Sequence, residues 1–287
     1  MEPGYLLLNF VVSRFTNDYH VFFGLLMAIQ MVFVMAALLR FKGKFSLWVP
    51  LLVYYLLYYN VSLNQMRQSL ACAIVLFAFT FVIEKKIIPF LFFIALASSF
   101  HISAVVAVVL YPVYHYVVKR KSILFIVVLL VAGVVAALLV QNFIDIVLSF
   151  VGLDSKYAHY FKDSMHGFFI TRFLIMLPIP IVYLCCWKWL KERGDAVYFI
   201  FFSLCVAVIA TQARELIGND AERIISYFSL FQIFAASWFV ESLDEVKKKI
   251  AIVIFVMYYA FYWYYMYVYN AFHETYPYTS YIINQWI

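Results

Sequence analysis

Residues 64–116 read NQMRQSLACAIVLFAFTFVIEKKIIPFLFFIALASSFHISAVVAVVLYPVYHY. An apolar run follows the polar start Asn64-Gln65-Met66-Arg67-Gln68 and stops at Glu84-Lys85-Lys86. A second run, 87–99, breaks at Ser98-Ser99-Phe100-His101, and a third covers 102–118. The break argues for a turn or kink between the second and third runs. The runs are continuous, without the polar–apolar alternation of a membrane β-barrel strand. Backbone groups in lipid must be paired within their own segment, so the runs are read as membrane helices.

The rest of the chain extends this pattern. Of its 287 residues, 67% are hydrophobic, 21% aromatic and 13% charged. A soluble domain carries about 25% charged residues, and an apolar surface this large has no place in a water-soluble globule. The predicted fold is all-α, a polytopic bundle of about ten transmembrane helices in one domain spanning 1–287. The runs lie near 20–39, 46–60, 64–83, 87–99, 102–118, 122–149, 167–190, 196–213, 223–242 and 249–270. Residues 1–19 are expected to form an interfacial or re-entrant segment, 150–166 an outer loop and 271–287 an outer tail. No internal repeat, linker or low-complexity tract is visible, and no signal peptide opens the chain. Cys72, Cys185, Cys186 and Cys205 all sit within apolar runs and read as small core residues.

The net charge of +6 is distributed as orientation signal, not as a nucleic-acid patch. Arg40, Lys42, Lys44, Lys85, Lys86, Lys119, Arg120 and Lys121 fall in alternate connections. Lys188, Lys191, Arg193 and Lys247-Lys248-Lys249 continue the series. The positive-inside rule makes that side cytoplasmic. The opposite side carries only Lys156 and Lys162 together with five arginines: Arg14, Arg67, Arg172, Arg214 and Arg223. Five of the six histidines sort to the same side, His115 being the exception. The functional chemistry is therefore expected on the outer face.

Arg67 stands beside Asn64 and Gln68, which are one helical turn apart. A guanidinium at that depth suits a phosphate, because its fork binds two oxygens and its charge does not titrate. A snorkelling arginine satisfied by the interface is the rival reading, against which stands the cost of an arginine within the membrane. Arg172 and Arg223 each begin an apolar run. Arg214-Glu215 ends the run before Asp220-Ala221-Glu222-Arg223, and mutual ion pairs account well for Arg214 and Glu222. Arg223 is expected to point into the bundle, above Tyr227. Three arginines at the outer ends of separate helices can converge on one diphosphate and stabilise the charge on it as it departs. His101 can orient or deprotonate a sugar hydroxyl, or act as a structural donor. Glu215 and Asp220 are rivals for the base, and the sequence does not choose among them. No DxD-type pair, HExxH or GxSxG is present, so no metal or cofactor is expected. Tyr54, Tyr55, Tyr58 and Tyr59 read as an interfacial belt or as faces for sugar rings.

The Asn64–Tyr116 stretch resembles the EpsG family of bacterial exopolysaccharide proteins, Wzy-like polymerases of capsule, O-antigen or biofilm polysaccharide. The likeness rests on Arg67-Gln68-x-Leu70-Ala71, on Glu84-Lys85-Lys86 and on Ala97-Ser98-x-Phe100-His101-x-Ser103-Ala104. Glu2-Pro3-Gly4-Tyr5 with Leu8-Asn9 resembles an earlier family segment, and Arg223 with Tyr227-Phe228 a late one. Family members have an outward-going helix before the Glu-Pro-Gly-Tyr segment, so a helix is expected to be missing ahead of Glu2. The resemblance implies a GT-C-like glycosyltransferase of the bacterial inner or plasma membrane, with its active face extracytoplasmic. Its partners would be undecaprenyl-diphosphate-linked glycan donor and acceptor, the lipid bilayer, a chain-length regulator and other polysaccharide-assembly proteins. A flippase for the same lipid-linked sugar and a membrane O-acyltransferase using His101 are the rival readings.

Overall fold

A computed structural model describes residues 2–135, 166–217 and 219–275, and among these it is helical almost throughout. The expected outer loop at 150–166, with Lys156 and Lys162, lies outside the described residues except for His166. So does the tail beyond Thr275.

Among the described residues five helices are long and apolar enough to cross a membrane: Tyr19–Leu39, Met66–Ile83, Ile102–Arg120, Arg223–Glu241 and Glu245–Tyr269. About ten spans were expected, several of them short. Among the described residues the shorter apolar helices include Ile87–Phe100 and Ile170–Cys185. The run expected near 122–149 is described only as far as Val135, and the Ala196–Ile217 helix has 22 residues. The Pro3–Ser13 helix has 11 residues. At 1.5 Å per residue it covers about half of a ~30 Å hydrocarbon layer. Proline at Pro178 and non-α turns at several points divide runs that are continuous in hydropathy.

The turn or kink expected before residue 102 is a chain reversal. The Ile87–Phe100 helix ends at His101, whose φ of −153° and ψ of 113° are extended. The chain re-enters a helix as a 3₁₀ segment, Ile102–Val109. The Phe90 and Tyr111 rings lie 5.7 Å apart, which only an antiparallel pair allows.

The Met66–Ile83 helix is the centre of the bundle. Leu70, Ala71, Ile74, Val75, Ala78 and Val82 are completely buried. Its alanines let neighbours approach closely, which matters where lipid tails compete equally for apolar surface. Phe81 stacks on Phe93 at 5.6 Å. Phe79 meets Phe231 at 4.2 Å and Phe199 at 4.8 Å. These rings tie the central helix to three others.

Two helices pass through π turns, Tyr55–Tyr59 and Tyr264–Tyr269, and a third tightens to 3₁₀ at Leu230–Phe234. Each change of pitch disturbs the backbone ladder, and side chains take up the carbonyls. Tyr267 Oη donates to Leu57 O at 3.0 Å. Ser203 Oγ donates to Phe228 O at 2.8 Å, and Tyr58 Oη to Ser229 O at 3.1 Å.

The connections sort by charge to two ends of the bundle. At one end Arg40 pairs with Glu84, as does Lys86 at 2.8 Å. Lys121 pairs with Asp195 at 2.7 Å and Lys248 with Glu241 at 2.8 Å. Trp238 reaches both Phe45 and Gly194, joining these connections. At the other end stand Glu2, Arg67, His101, Arg172 and Arg223.

Candidate functional site

A cavity of about 280 Å³ opens at the arginine end. Two polar stripes line it. One is Asn64, Gln65, Gln68 and Ser69, around the start of the central helix. The other is Arg223, Ser226, Ser229 and Gln232, spaced by three along the next helix. Arg172, Tyr262, Tyr54 and Tyr58 line it as well.

The walls are fixed by hydrogen bonds between stripes. Gln68 is buried and donates from Nε2 to Arg223 O at 2.9 Å and to Ser226 Oγ at 3.0 Å. That contact sets the first turn of the Arg223 helix against the central helix. Gln232 Nε2 donates to Tyr58 Oη at 2.7 Å. Gln30 Nε2 donates to Tyr54 Oη at 2.7 Å. Arg172 Nε donates to Tyr262 Oη at 3.3 Å, and its guanidinium lies 5.4 Å from the Phe272 ring centre. Tyr54 and Tyr58 thus face the cavity. Tyr55 and Tyr59 stack on each other at 4.8 Å, and Tyr55 is half exposed. The tyrosine cluster divides between a cavity wall and an outer surface.

Arg172 and Arg223 share the cavity. Arg67 and His101 do not line it; they form a second cluster beside the Arg223 wall. Arg67 Nη1 contacts Glu2 Oε2 at 2.6 Å, and its guanidinium lies 5.3 Å from the Tyr5 ring centre. His101 Nδ1 is 3.5 Å from Glu2 Oε1. Two positions on, Ser103 Oγ meets Tyr227 Oη at 3.2 Å, and Tyr227 is completely buried. Arg223, expected to point into the bundle, stays exposed on the cavity wall while Tyr227 takes the interior.

Burial holds His101 below the ordinary histidine range. Glu2 draws it back up, and Arg223 and Arg67 push it down. Burial raises Glu2, but its backbone hydrogen bond, Arg67 and His101 together leave it below the usual carboxylate range. The Arg67–Glu2 pair is partly exposed, a type of contact worth about 0–1 kcal/mol. It counts here for position more than for stability.

Arg214 and Glu215 lie on the last turn of the Ala196–Ile217 helix, and Asp220 on the first turn of Asn219–Ser229. Their side chains lie outside the described residues. Sequence reading passed over Glu2 as a charged group, although it is the only acid before Asp18. It also passed over Ser226, Ser229 and Gln232, whose signal is the polar period of three in an otherwise apolar run.

These features define a class: a helical membrane protein with a polar, arginine-bearing cavity at one end of its bundle. The chain belongs to the EpsG family, whose family model matches residues 1–280. No curated protein and no solved structure matches it.

Proposed function

We propose that this chain is a polysaccharide polymerase, a membrane glycosyltransferase of GT-C type acting at the outer leaflet of a bacterial inner or plasma membrane. The EpsG family is associated with polysaccharide polymerase activity. The observation that carries the reading is the pairing of Arg172 and Arg223 on the walls of one polar cavity. Two guanidinium forks in a half-enclosed site suit a diphosphate, and the amides and tyrosines between them suit sugar hydroxyls.

In this reading the donor is a growing glycan on undecaprenyl diphosphate, and the acceptor is a hydroxyl of another lipid-linked unit. The acceptor oxygen attacks the anomeric carbon of the donor, and the bond from that carbon to the diphosphate oxygen breaks. Arg172 and Arg223 stabilise the negative charge that leaves with the diphosphate. Arg67, at the edge of the site, uses one nitrogen on Glu2 and keeps others for a phosphate oxygen. The acceptor proton passes to a base: His101, Glu215 or Asp220. Arg214 adds positive charge near the same end of the bundle. The lysine-rich end faces the cytoplasm by the positive-inside rule. No step requires a metal, so a chelator is expected to leave the rate unchanged.

The test is incubation of the purified protein in lipid vesicles with a synthetic undecaprenyl-diphosphate-linked repeat unit. A ladder of products that persists in EDTA supports the proposal. Movement of unmodified lipid-linked sugar between leaflets, with no ladder, would overturn it in favour of transport.

A further inference from the structure

We infer that Glu2 is a positioning residue for His101, and that Arg67, Glu2 and His101 act as one relay at the edge of the cavity. The inference rests on the polymerase reading for its consequence, though not for its geometry.

The two oxygens of Glu2 are divided. Oε2 is on Arg67 Nη1 at 2.6 Å, and Oε1 faces His101 Nδ1 at 3.5 Å. The Glu2 and His101 side chains are 17% and 18% exposed, so water competes weakly at this contact. Nδ1 is buried and makes no hydrogen bond among the described residues. At 3.5 Å the approach is electrostatic. A shift of under 1 Å closes it to an ordinary hydrogen bond, and catalytic contacts commonly tighten only once substrate is bound.

The approach is built into the chain. Gly4 packs on the last turn of the Ile87–Phe100 helix so closely that a Cβ there would lie 2.3 Å from Ser99 Oγ and 2.9 Å from Ser99 O. Only glycine lets the Pro3–Ser13 helix come this near. Glu2, two residues earlier, is thereby carried to the His101 turn. Tyr5, one residue later, lies beneath Arg67. Glu2, Gly4 and Tyr5 thus all contact this corner.

The chemistry follows from which nitrogen carries the proton. A carboxylate facing Nδ1 favours the tautomer with hydrogen on Nδ1, which leaves the Nε2 lone pair free. As the acceptor oxygen bonds to the anomeric carbon, its proton passes to Nε2. The electron pair of the broken carbon–oxygen bond leaves with the diphosphate. Glu2 remains ionised and stabilises the imidazolium. Arg67 keeps Glu2 ionised and oriented. This gives His101 the role of base.

Among the described residues, the charged groups facing His101 are Glu2, Arg67 and Arg223. Removing the Glu2 charge leaves two cations acting on the imidazole, so protonation becomes harder. Glu2→Gln is expected to lower kcat about 10- to 100-fold with KM within about twofold, a share of what general bases contribute. The acid limb of its pH–rate profile moves to lower pH. His101→Gln loses at least as much, and the double variant loses no more than His101→Gln alone.

An activity-independent readout separates this inference from the polymerase reading. In ¹⁵N-histidine-labelled protein, with His101 assigned through His101→Gln, the wild type is expected to show the Nδ1-protonated tautomer at neutral pH. Glu2→Gln is expected to change that signal, and Glu2→Asp to keep much of it. An Nε2-protonated His101 in the wild type, or a signal unchanged by Glu2→Gln, overturns the relay whatever the polymerase assay gives. A ladder of normal rate from Glu2→Gln overturns it as well. A wild type that makes no ladder but shows the coupled tautomer retains the pairing and removes the polymerase reading.

Discussion

The guanidinium groups do not act as interchangeable positive charges. Arg172 is held by Tyr262 and lies over Phe272, and Arg223 lines the same cavity on a helix pinned by Gln68. Lysine in either place keeps the charge and loses the fork. Arg172→Lys and Arg223→Lys are each expected to lower polymerisation by roughly 10²-fold or more, the scale of losing one preorganised donor to a developing anion. Arg67→Lys is expected to impair chain growth too, because one ammonium cannot reproduce the fork that serves Glu2 and leaves other N–H donors for a phosphate oxygen. Product ladders from lipid-linked substrate measure all three, and normal chain length in the lysine variants would remove the fork argument. Gly4 gives a different kind of test. Gly4→Ala places a methyl against the Ser99 backbone oxygen, so Ser99→Ala cannot relieve it. Overpacking of this kind costs about 1–3 kcal/mol. A lowered thermal midpoint that Ser99→Ala fails to restore is the expected result.

The elements around the cavity gain their shape from departures from the α-helix. The π turn at Tyr55–Tyr59 and the 3₁₀ turn at Leu230–Phe234 face each other through Tyr58, which donates to Ser229 O and accepts from Gln232. Breaking one partner leaves the other poorly satisfied. Gln232→Leu is expected to cost about 1–3 kcal/mol, and Gln232→Leu with Tyr58→Phe less than the sum of the two single changes. Thermal unfolding of the four proteins in one detergent gives the coupling; strict additivity would mean that the hydroxyl and the amide do not depend on each other. Such departures are hard to read in a sequence. Hydropathy averages over a span and reports its length, but not where the pitch changes. Only the reversal at Ser98–His101 announced itself, through a cluster of polar residues between two apolar runs.

For the whole molecule, acid is the relevant stress. The folded state holds His101 below its ordinary value of 6.5 by burial first, so the unfolded chain takes up that proton more readily and stability falls as pH drops below about 6.5. Glu2 is held below its ordinary 4.5, so what it contributes is present above that pH and lost as pH falls through and beneath it. Both groups act in the same direction, and the thermal midpoint is expected to decline in two stages on acidification. Asp18, Glu84 and Asp244 are also held below the usual carboxylate range and share the lower stage, so Glu2→Gln is expected to shrink it, and a lower stage of unchanged size would argue against the Glu2 cluster. The sequence by itself determined the helical membrane class, the separation of lysine from arginine between the two ends, and the resemblance carried by Arg67, His101 and Arg223. Continuous apolar runs in lipid admit few alternatives to the helix, and charge between runs is local information. Tertiary structure decided the rest: that five of the described helices reach spanning length, that Arg172 and Arg223 share a cavity while Arg67 stands beside it, and that Glu2 reaches His101. Those outcomes depend on contacts between residues far apart in the chain, set by a missing Cβ at Gly4 and a buried amide at Gln68, and neither composition nor periodicity encodes which distant surfaces will meet.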